Sequence, residues 1–123
     1  MACILLVEDS PTVRYVVAKL LTGQGYEVIT AGDGEEAVKF AQDKLPSLII
    51  LDVILPKMNG YQVCRRLKAT TDTSGIPIIM LTSKGKDSDR RWGMEQGADA
   101  YLIKPFEDQA LFEAVSQFVP QGG

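Results

Sequence analysis

The chain has 123 residues, a length that suits one domain with a single hydrophobic core. Its 46% hydrophobic and 24% charged residues are typical of a soluble globular protein, and its net charge of -3 argues against a general affinity for nucleic acid or anionic membranes. Apolar runs long enough to cross a bilayer are absent from the sequence, and the N-terminal stretch MACILLVEDS meets acids before a signal-peptide core could form. We therefore expect a cytoplasmic protein.

The two cysteines restrict the chemistry further. Cys3 lies in an apolar run and Cys64 in a segment with helical periodicity. Without a secretion signal, two isolated thiols are predicted to be small core residues rather than a disulfide. The chain has no histidine, so a zinc site of the His/Cys type is not expected.

Short apolar runs rich in β-branched residues alternate along the chain with segments of helical periodicity. The runs are CILLV, YEVITA, LIIL and IIML, followed by a weaker AYLI. Such alternation is typical of βαβ units, whose parallel sheet is covered by helices on both faces. The sequence therefore predicts an α/β fold of the doubly wound, flavodoxin-like type, with a five-stranded parallel sheet in the order 2-1-3-4-5 flanked by five helices.

The first helix has clear boundary signals. Ser10 is its predicted N-cap, Pro11 suits its first turn, and Gly23 or Gly25 ends it. Apolar residues at helical spacing predict that its buried stripe consists of Val13, Val16, Val17, Leu20 and Leu21.

The next two helices are also bounded by their sequence. The second is predicted to open at Asp33, whose carboxylate caps while Glu36 reaches back in a capping box, and to end near Leu45. The third is predicted to run from about Gly60 to Thr70.

The last two helices differ in the quality of their apolar stripes. The fourth, Asp87 to Gly97, is mostly polar, contains Gly93, and has only Trp92 and Met94 as large apolar residues. It is expected to be the most easily displaced element. The last helix is predicted to bury a stripe of Leu111, Val115 and Phe118.

Chemically active side chains follow the strands at their carboxyl ends, where ligands bind in an open parallel sheet. Glu8 and Asp9 follow the first strand, Asp52 the third, Thr82 ends the fourth, and Lys104 follows the fifth. Three carboxylates at one edge repel one another unless a cation shares them, and oxygen ligands suit Mg²⁺. Metal, ammonium, hydroxyl and carboxylate together are what phosphoryl transfer to an acid requires.

Taken singly, each of these residues has an ordinary structural explanation. An Asp after an apolar strand is usually a helix cap or turn residue, and a Lys-Pro pair is usually a loop. It is their joint placement at successive strand ends that favours a functional site.

The stretches LLVEDS, LDVILPKMNG, IIMLTS and YLIKPF, at their spacing, closely resemble the receiver domain of two-component response regulators. The likeness runs from about residue 3 to residue 118. It implies that Asp52 is the phosphoacceptor and that Glu8, Asp9 and Asp52 hold Mg²⁺ together with the backbone carbonyl of Ile54.

The resemblance also implies roles for residues of the last two strands. Thr82 and Lys104 would contact the phosphoryl oxygens, and a cis Lys104-Pro105 bond would aim the ammonium into the site. Tyr101 matches the family's switch aromatic, whose ring turns inward when Thr82 moves toward the phosphoryl group. The alternative for Tyr101 is an ordinary half-buried strand aromatic.

The function implied by the resemblance is that of a signalling switch rather than an enzyme. Residues 1–123 would form a single receiver domain without an output domain. Because the chain has no histidine, the phosphoryl donor must be a histidine kinase, a histidine phosphotransfer protein or a small molecule such as acetyl phosphate. A target protein would bind the Asp87 to Gly97 helix, the Tyr101 strand and the last helix. We expect a monomer or weak dimer with no nucleic-acid or membrane partner.

The same residues bear on a pathway and on three alternative functions. The segment DRRWGMEQGADAYLIKPF is similar to stand-alone receivers of type IV pilus twitching motility and chemotaxis-like signalling. A pseudo-receiver that never takes phosphate is disfavoured because every chemical position is filled. A small phosphotransferase or phosphatase would want a second acid two residues after its nucleophile, where Ile54 stands. In a flavodoxin-like carrier, the EDSPT turn would place acids where a flavin phosphate needs donors.

Overall fold

The computed structural model describes residues 2–120, in which strands and helices alternate strictly. The strands are β1 (Cys3–Val7), β2 (Glu27–Ala31), β3 (Leu48–Leu51), β4 (Ile78–Thr82) and β5 (Ala100–Ile103). The helices are α1 (Pro11–Gly23), α2 (Gly34–Lys44), α3 (Gly60–Ala69), α4 (Asp87–Glu95) and α5 (Asp108–Ser116). None of these helices is long and apolar enough to cross a membrane.

The strands form one parallel sheet in the order β2-β1-β3-β4-β5, which confirms the predicted topology. Val7 at the end of β1 is level with Leu51 at the end of β3, and Thr82 at the end of β4 is level with Ile103. The residues that follow these strands therefore emerge at the same edge of the sheet, on either side of the point where the strand order reverses.

Both faces of the sheet are covered, which explains why β1 and β3 are apolar throughout. Alternate residues of β1 and β3 point to opposite faces. Leu5 and Ile49 lie in a core under α2 and α3, whereas Ile4 and Ile50 lie in a second core under α1 and α5. A strand buried on both sides has no position for a polar residue until it leaves the sheet.

Helix α1 begins as predicted but buries a narrower stripe. Ser10 is the N-cap, and its Oγ accepts a hydrogen bond from the Val13 amide, with Pro11 in the first turn. Val17 and Leu21 are buried, whereas Val16 is 49% exposed, so its assignment to the buried stripe was wrong. The predicted stripe was too wide, because Val16, at i+3 from Val13, lies at its edge and faces solvent.

The ends of α2 and α3 are held by side-chain caps. Asp33 Oδ1 accepts from the Glu36 amide at 2.8 Å, and Glu36 Oε1 reaches back to the Gly32 amide at 3.1 Å. Helix α3 starts from a capping box between Asn59 and Gln62, which the sequence analysis did not identify.

The last helix ends earlier than its predicted apolar stripe. Leu111 and Val115 are buried in α5, but α5 ends at Ser116 and Phe118 follows in a turn, where it is only partly buried. Phe118 is therefore not part of the helical stripe, and the buried residue that follows α5 is Val119. The non-helical turn after Ser116 places Val119 in the core.

Helix α4 is held weakly, in agreement with its poor apolar stripe. Gly93 is its one buried residue, whereas Trp92 and Met94 are 48% and 43% exposed. A helix with so little buried side-chain surface is stabilised by few contacts and is easily displaced. Cys3 and Cys64 are both free thiols, as predicted, and Cys64 is buried.

Candidate functional site

The three predicted acids meet at the carboxyl edge of the sheet. Glu8, Asp9 and Asp52 each offer a carboxylate oxygen, and these oxygens lie within 4.8 Å of one another. The Asp52 amide donates to the Val7 carbonyl at 3.0 Å, which extends the β1-β3 pairing by one residue and brings the loops together. Glu8 and Asp52 are buried and Asp9 is exposed, so the cluster is open to solvent on the side of Asp9.

Lys104, the residue after β5, extends its side chain to two of the acids. Its Nζ lies 2.9 Å from Asp52 Oδ2 and forms a second ion pair with Glu8 Oε1. The Lys104 amide donates to the Thr82 carbonyl at 2.8 Å, and the Lys104-Pro105 bond is cis, as predicted. The ammonium thus lies between the two buried acids.

Burial and pairing act on the ionisation of this cluster in different directions. Burial raises the pKa of Glu8 above its ordinary value, although hydrogen bonds from Lys104 and Ser10 oppose the rise. Burial alone would lower the pKa of Lys104, but its hydrogen bonds to Glu8 and Asp52 outweigh this effect and raise it. Lys104 therefore stays an ammonium at neutral pH.

The donor set fits a hard divalent cation such as Mg²⁺. All the side-chain donors are carboxylate oxygens, and three carboxylates facing one ammonium leave negative charge uncompensated when all are ionised. The Ile54 amide donates to Asp52 Oδ1 at 3.2 Å, so the backbone of Ile54 runs beside the cluster. That its carbonyl is a metal ligand stays a prediction.

Two glycines fix the loop that carries Asp52. A Cβ on Gly60 would lie 2.2 Å from the Asp52 carbonyl oxygen, and one on Gly34 would lie 2.0 Å from the Met58 carbonyl oxygen. The Gly60 amide also donates to the Val53 carbonyl at 2.8 Å. Gly60 is thus required for the close approach of α3 to the loop, and Gly34 does the same from α2.

Thr82 and Tyr101 lie on β4 and β5, the two strands beyond β3. Thr82 is fully buried, and its Oγ1 faces the Lys84 amide at 3.4 Å. Tyr101 is 7% exposed, and its hydroxyl donates to the Lys84 carbonyl at 2.7 Å. The ring is therefore already turned inward beneath the loop that leads to α4, rather than half-buried at the surface.

Arg14 is a residue of this region that the sequence analysis missed. Its Nη1 donates to the Glu8 carbonyl at 2.9 Å, so α1 holds the backbone of the acid pair. The signal that could have indicated it is a cation near the start of the helix that directly follows two acids.

The fold and the acidic pocket together define a flavodoxin-like α/β domain whose site lies where the strand order reverses. The family model for the response regulator receiver domain matches residues 4–116. The chain therefore belongs to the receiver family, whose members are signalling switches rather than classical enzymes and interact with histidine kinases or phosphotransfer proteins.

The curated relatives differ in how much of their length this chain covers. The chain is 37% identical over 116 residues to Protein PilH of Pseudomonas aeruginosa, covering 94% of this chain and 96% of PilH. It is 47% identical over 108 residues to the probable transcriptional regulator ycf27 of Porphyra purpurea, covering 88% of this chain but only 43% of that protein.

Solved receiver structures superpose on the whole fold. The Vibrio cholerae chemotaxis protein CheY4 has a TM-score of 0.91 and 34% identity, covering 97% of this chain and 99% of that one. The receiver domain of the sensor histidine kinase PA1611 from Pseudomonas aeruginosa has a TM-score of 0.89 and 33% identity, covering 95% of this chain and 96% of that one. That structure has a magnesium ion in its active site cleft.

Proposed function

We propose that this receiver is a Mg²⁺-dependent phosphoacceptor in which Asp52 takes a phosphoryl group from a phosphohistidine of a histidine kinase or histidine phosphotransfer protein. The observation that carries the proposal is the meeting of Glu8, Asp9 and Asp52 with Lys104 in one partly buried pocket. Phosphorylation then alters a protein-binding surface and so passes the signal on.

The transfer is an in-line displacement at phosphorus. A carboxylate oxygen of Asp52 forms the new P–O bond while the N–P bond of the partner's phosphohistidine breaks, and the electron pair returns to the imidazole. The product on Asp52 is an acyl phosphate. Lys104 neutralises charge on the phosphoryl oxygens, and the Thr82 hydroxyl donates to one of them.

The acids would bind the metal in two ways, directly or through a water molecule. Asp9 is exposed, and Asp52, although buried, offers a carboxylate oxygen within 4.8 Å of that of Asp9, so both are available to the ion, together with the Ile54 carbonyl. Glu8 is engaged by Lys104 and by the Ser10 amide, so it acts through water. Bound Mg²⁺ supplies positive charge to the phosphoryl oxygens and fixes their orientation.

Asp9→Asn is expected to weaken Mg²⁺ binding by about tenfold or more, because it removes a charged ligand from the mouth of the site. In chelator, the same change is expected to raise the melting temperature, since it relieves repulsion among clustered acids. Calorimetric titration with Mg²⁺ and thermal unfolding measure the two effects. An unchanged Mg²⁺ affinity in Asp9→Asn would rule out this ligand geometry. The matched control is Asp108→Asn, in the first turn of α5.

The proposed output surface consists of α4, β5 and the outer side of α5. Thr82 stands at the start of the loop that enters α4, and Tyr101 lies beneath that loop. A phosphoryl group on Asp52 draws the Thr82 hydroxyl toward it and stabilises the inward position of Tyr101. Because α4 has one buried residue, a bias of a few kcal/mol is enough to reseat it.

Amide exchange with and without beryllofluoride, a stable phosphoryl mimic, tests this surface. We expect the mimic to change protection in α4 and β5 of the wild type, and expect Thr82→Ala and Tyr101→Ala to reduce the change at least twofold. Tyr15→Ala, at an exposed tyrosine of α1, should respond as the wild type does. Changes confined to α2, or full responses in both variants, would show that this surface is not the switch.

For the pathway, we propose cytoplasmic signalling of the chemotaxis-like or twitching-motility type. The support is similarity over nearly the whole chain to PilH and to the chemotaxis protein CheY4. Transfer rates from purified phosphorylated histidine kinases of the same organism test the assignment. Preference for a kinase outside those pathways would contradict it without affecting the phosphoacceptor proposal.

A further inference from the structure

Tyr61 stands at the start of α3, directly after the glycine that lies against the phosphoacceptor loop. The Gly60 position contacts the Asp52 carbonyl so closely that a Cβ would lie 2.2 Å from it, and the Gly60 amide is bonded to the Val53 carbonyl. Packing this tight transmits displacement, since neither group can shift alone. A movement of the Asp52 peptide therefore moves the first turn of α3 and Tyr61 with it.

The side chain of Tyr61 reaches in the opposite direction, to α4. Its hydroxyl donates to the Asp89 carbonyl at 3.3 Å, and its ring meets that of Trp92 edge to face, with centroids 6.3 Å apart and an interplanar angle of 79°. Such aromatic pairs are worth roughly 0.5–1.5 kcal/mol beyond their buried area. One side chain therefore holds α4 through both a backbone bond and an aromatic contact.

The two tyrosines beneath α4 form one group. Tyr101 bonds to the Lys84 carbonyl in the loop before α4, while Tyr61 bonds to the Asp89 carbonyl inside it. The two hydroxyls are also close enough to interact with each other. Since Gly93 is the one buried residue of α4, the bonds from the two tyrosines are among the contacts that hold α4 and the loop before it.

We propose that Tyr61 is a second positioning residue of the switch, which carries a change at Asp52 to α4 through α3, in parallel with the path through Thr82 and Tyr101. This inference rests on the proposed function, because it needs a phosphoryl group on Asp52 as its input. In this second path, displacement of the Asp52 backbone is transmitted to α4, whereas the first path begins at the Thr82 hydroxyl.

The fluorescence of Trp92, the chain's single tryptophan, reports on the contact with Tyr61. The experiment records Trp92 emission and amide exchange in α4 with Mg²⁺ and beryllofluoride. It compares the wild type with Tyr61→Phe, which removes the hydroxyl and keeps the ring, with Tyr61→Leu, which removes the ring, and with the control Tyr15→Phe. Fluorine NMR measures occupancy by the mimic in each variant.

We expect all four proteins to bind the mimic equally. In the wild type and in Tyr15→Phe, α4 exchange and Trp92 emission should change, whereas Tyr61→Phe should lose at least half of the exchange response and Tyr61→Leu most of both. Combining Tyr61→Phe with Thr82→Ala should remove more of the response than either change alone.

Two results would overturn the inference. Responses equal to the wild type in both Tyr61 variants would show that Tyr61 carries no signal. Basal exchange raised by the same factor with and without the mimic would show that it only stabilises the fold. Both leave the phosphoacceptor function intact, whereas a wild type that does not bind the mimic or does not respond to it would refute the proposed function itself.

Discussion

Asp52→Asn is expected to abolish phosphoryl incorporation from acetyl phosphate in the presence of Mg²⁺, whereas the wild type gains one phosphoryl group per chain. The substitution keeps the shape of the side chain but removes its charge, and a neutral amide is a far weaker nucleophile than a carboxylate. It also weakens the pairing with Lys104, which lies 2.9 Å from the acid. The loss should be complete within the detection limit of intact-protein mass spectrometry.

The chemistry of the product provides an independent check. An acyl phosphate on Asp52 is stable in acid, labile in base and cleaved by hydroxylamine, whereas phosphate on a serine or threonine survives hydroxylamine. Asp43→Asn, at an exposed acid of α2, is the matched control and should be labelled as the wild type is. Equal labelling of wild type and Asp52→Asn would assign the phosphoryl group to another residue.

The sheet and its active edge could be predicted from the sequence because their signals are local. A parallel strand buried on both faces is apolar until it ends, so the first acids after CILLV and LIIL mark the carboxyl edge directly. The structure brings Glu8, Asp9, Asp52 and Lys104 together as expected. Their roles in metal binding and transfer, and the absence of an output domain, stay predictions.

Features that depend on distant neighbours could not be predicted in the same way. The sequence marks Gly93 as a residue that weakens α4, but in the structure a Cβ there would lie 3.0 Å from Met80 Sδ and 3.1 Å from Tyr101 Cε2. The glycine thus allows α4 to approach the sheet over the tyrosine. Likewise, nothing local distinguishes Tyr61 from an ordinary helix residue until α4 is placed beside it.

Lys104→Met is expected to change metal binding and phosphoryl transfer in opposite directions. The Lys104 ammonium lies 2.9 Å from Asp52 Oδ2 and pairs with Glu8, so a cation entering the pocket has to share these acids with it. Removing the ammonium relieves this repulsion, and Mg²⁺ should bind more tightly by about tenfold. The transfer rate from acetyl phosphate should nevertheless fall by roughly 10²-fold, a typical cost of losing one charge-stabilising group.

Stability separates these effects from simple misfolding. Methionine keeps most of the length of the lysine stem but leaves Glu8 and Asp52 without their cation, so the melting temperature in chelator should fall. Saturating Mg²⁺ should restore it, because the ion binds the folded state only. Lys39→Met, at an exposed position of α2, controls for the loss of a positive charge and should change none of the three measurements. If Lys104→Met weakens Mg²⁺ binding as well as transfer, then Lys104 organises the acids for the metal rather than competing with it. The proposal that Lys104 competes with Mg²⁺ while assisting phosphoryl transfer would then be wrong.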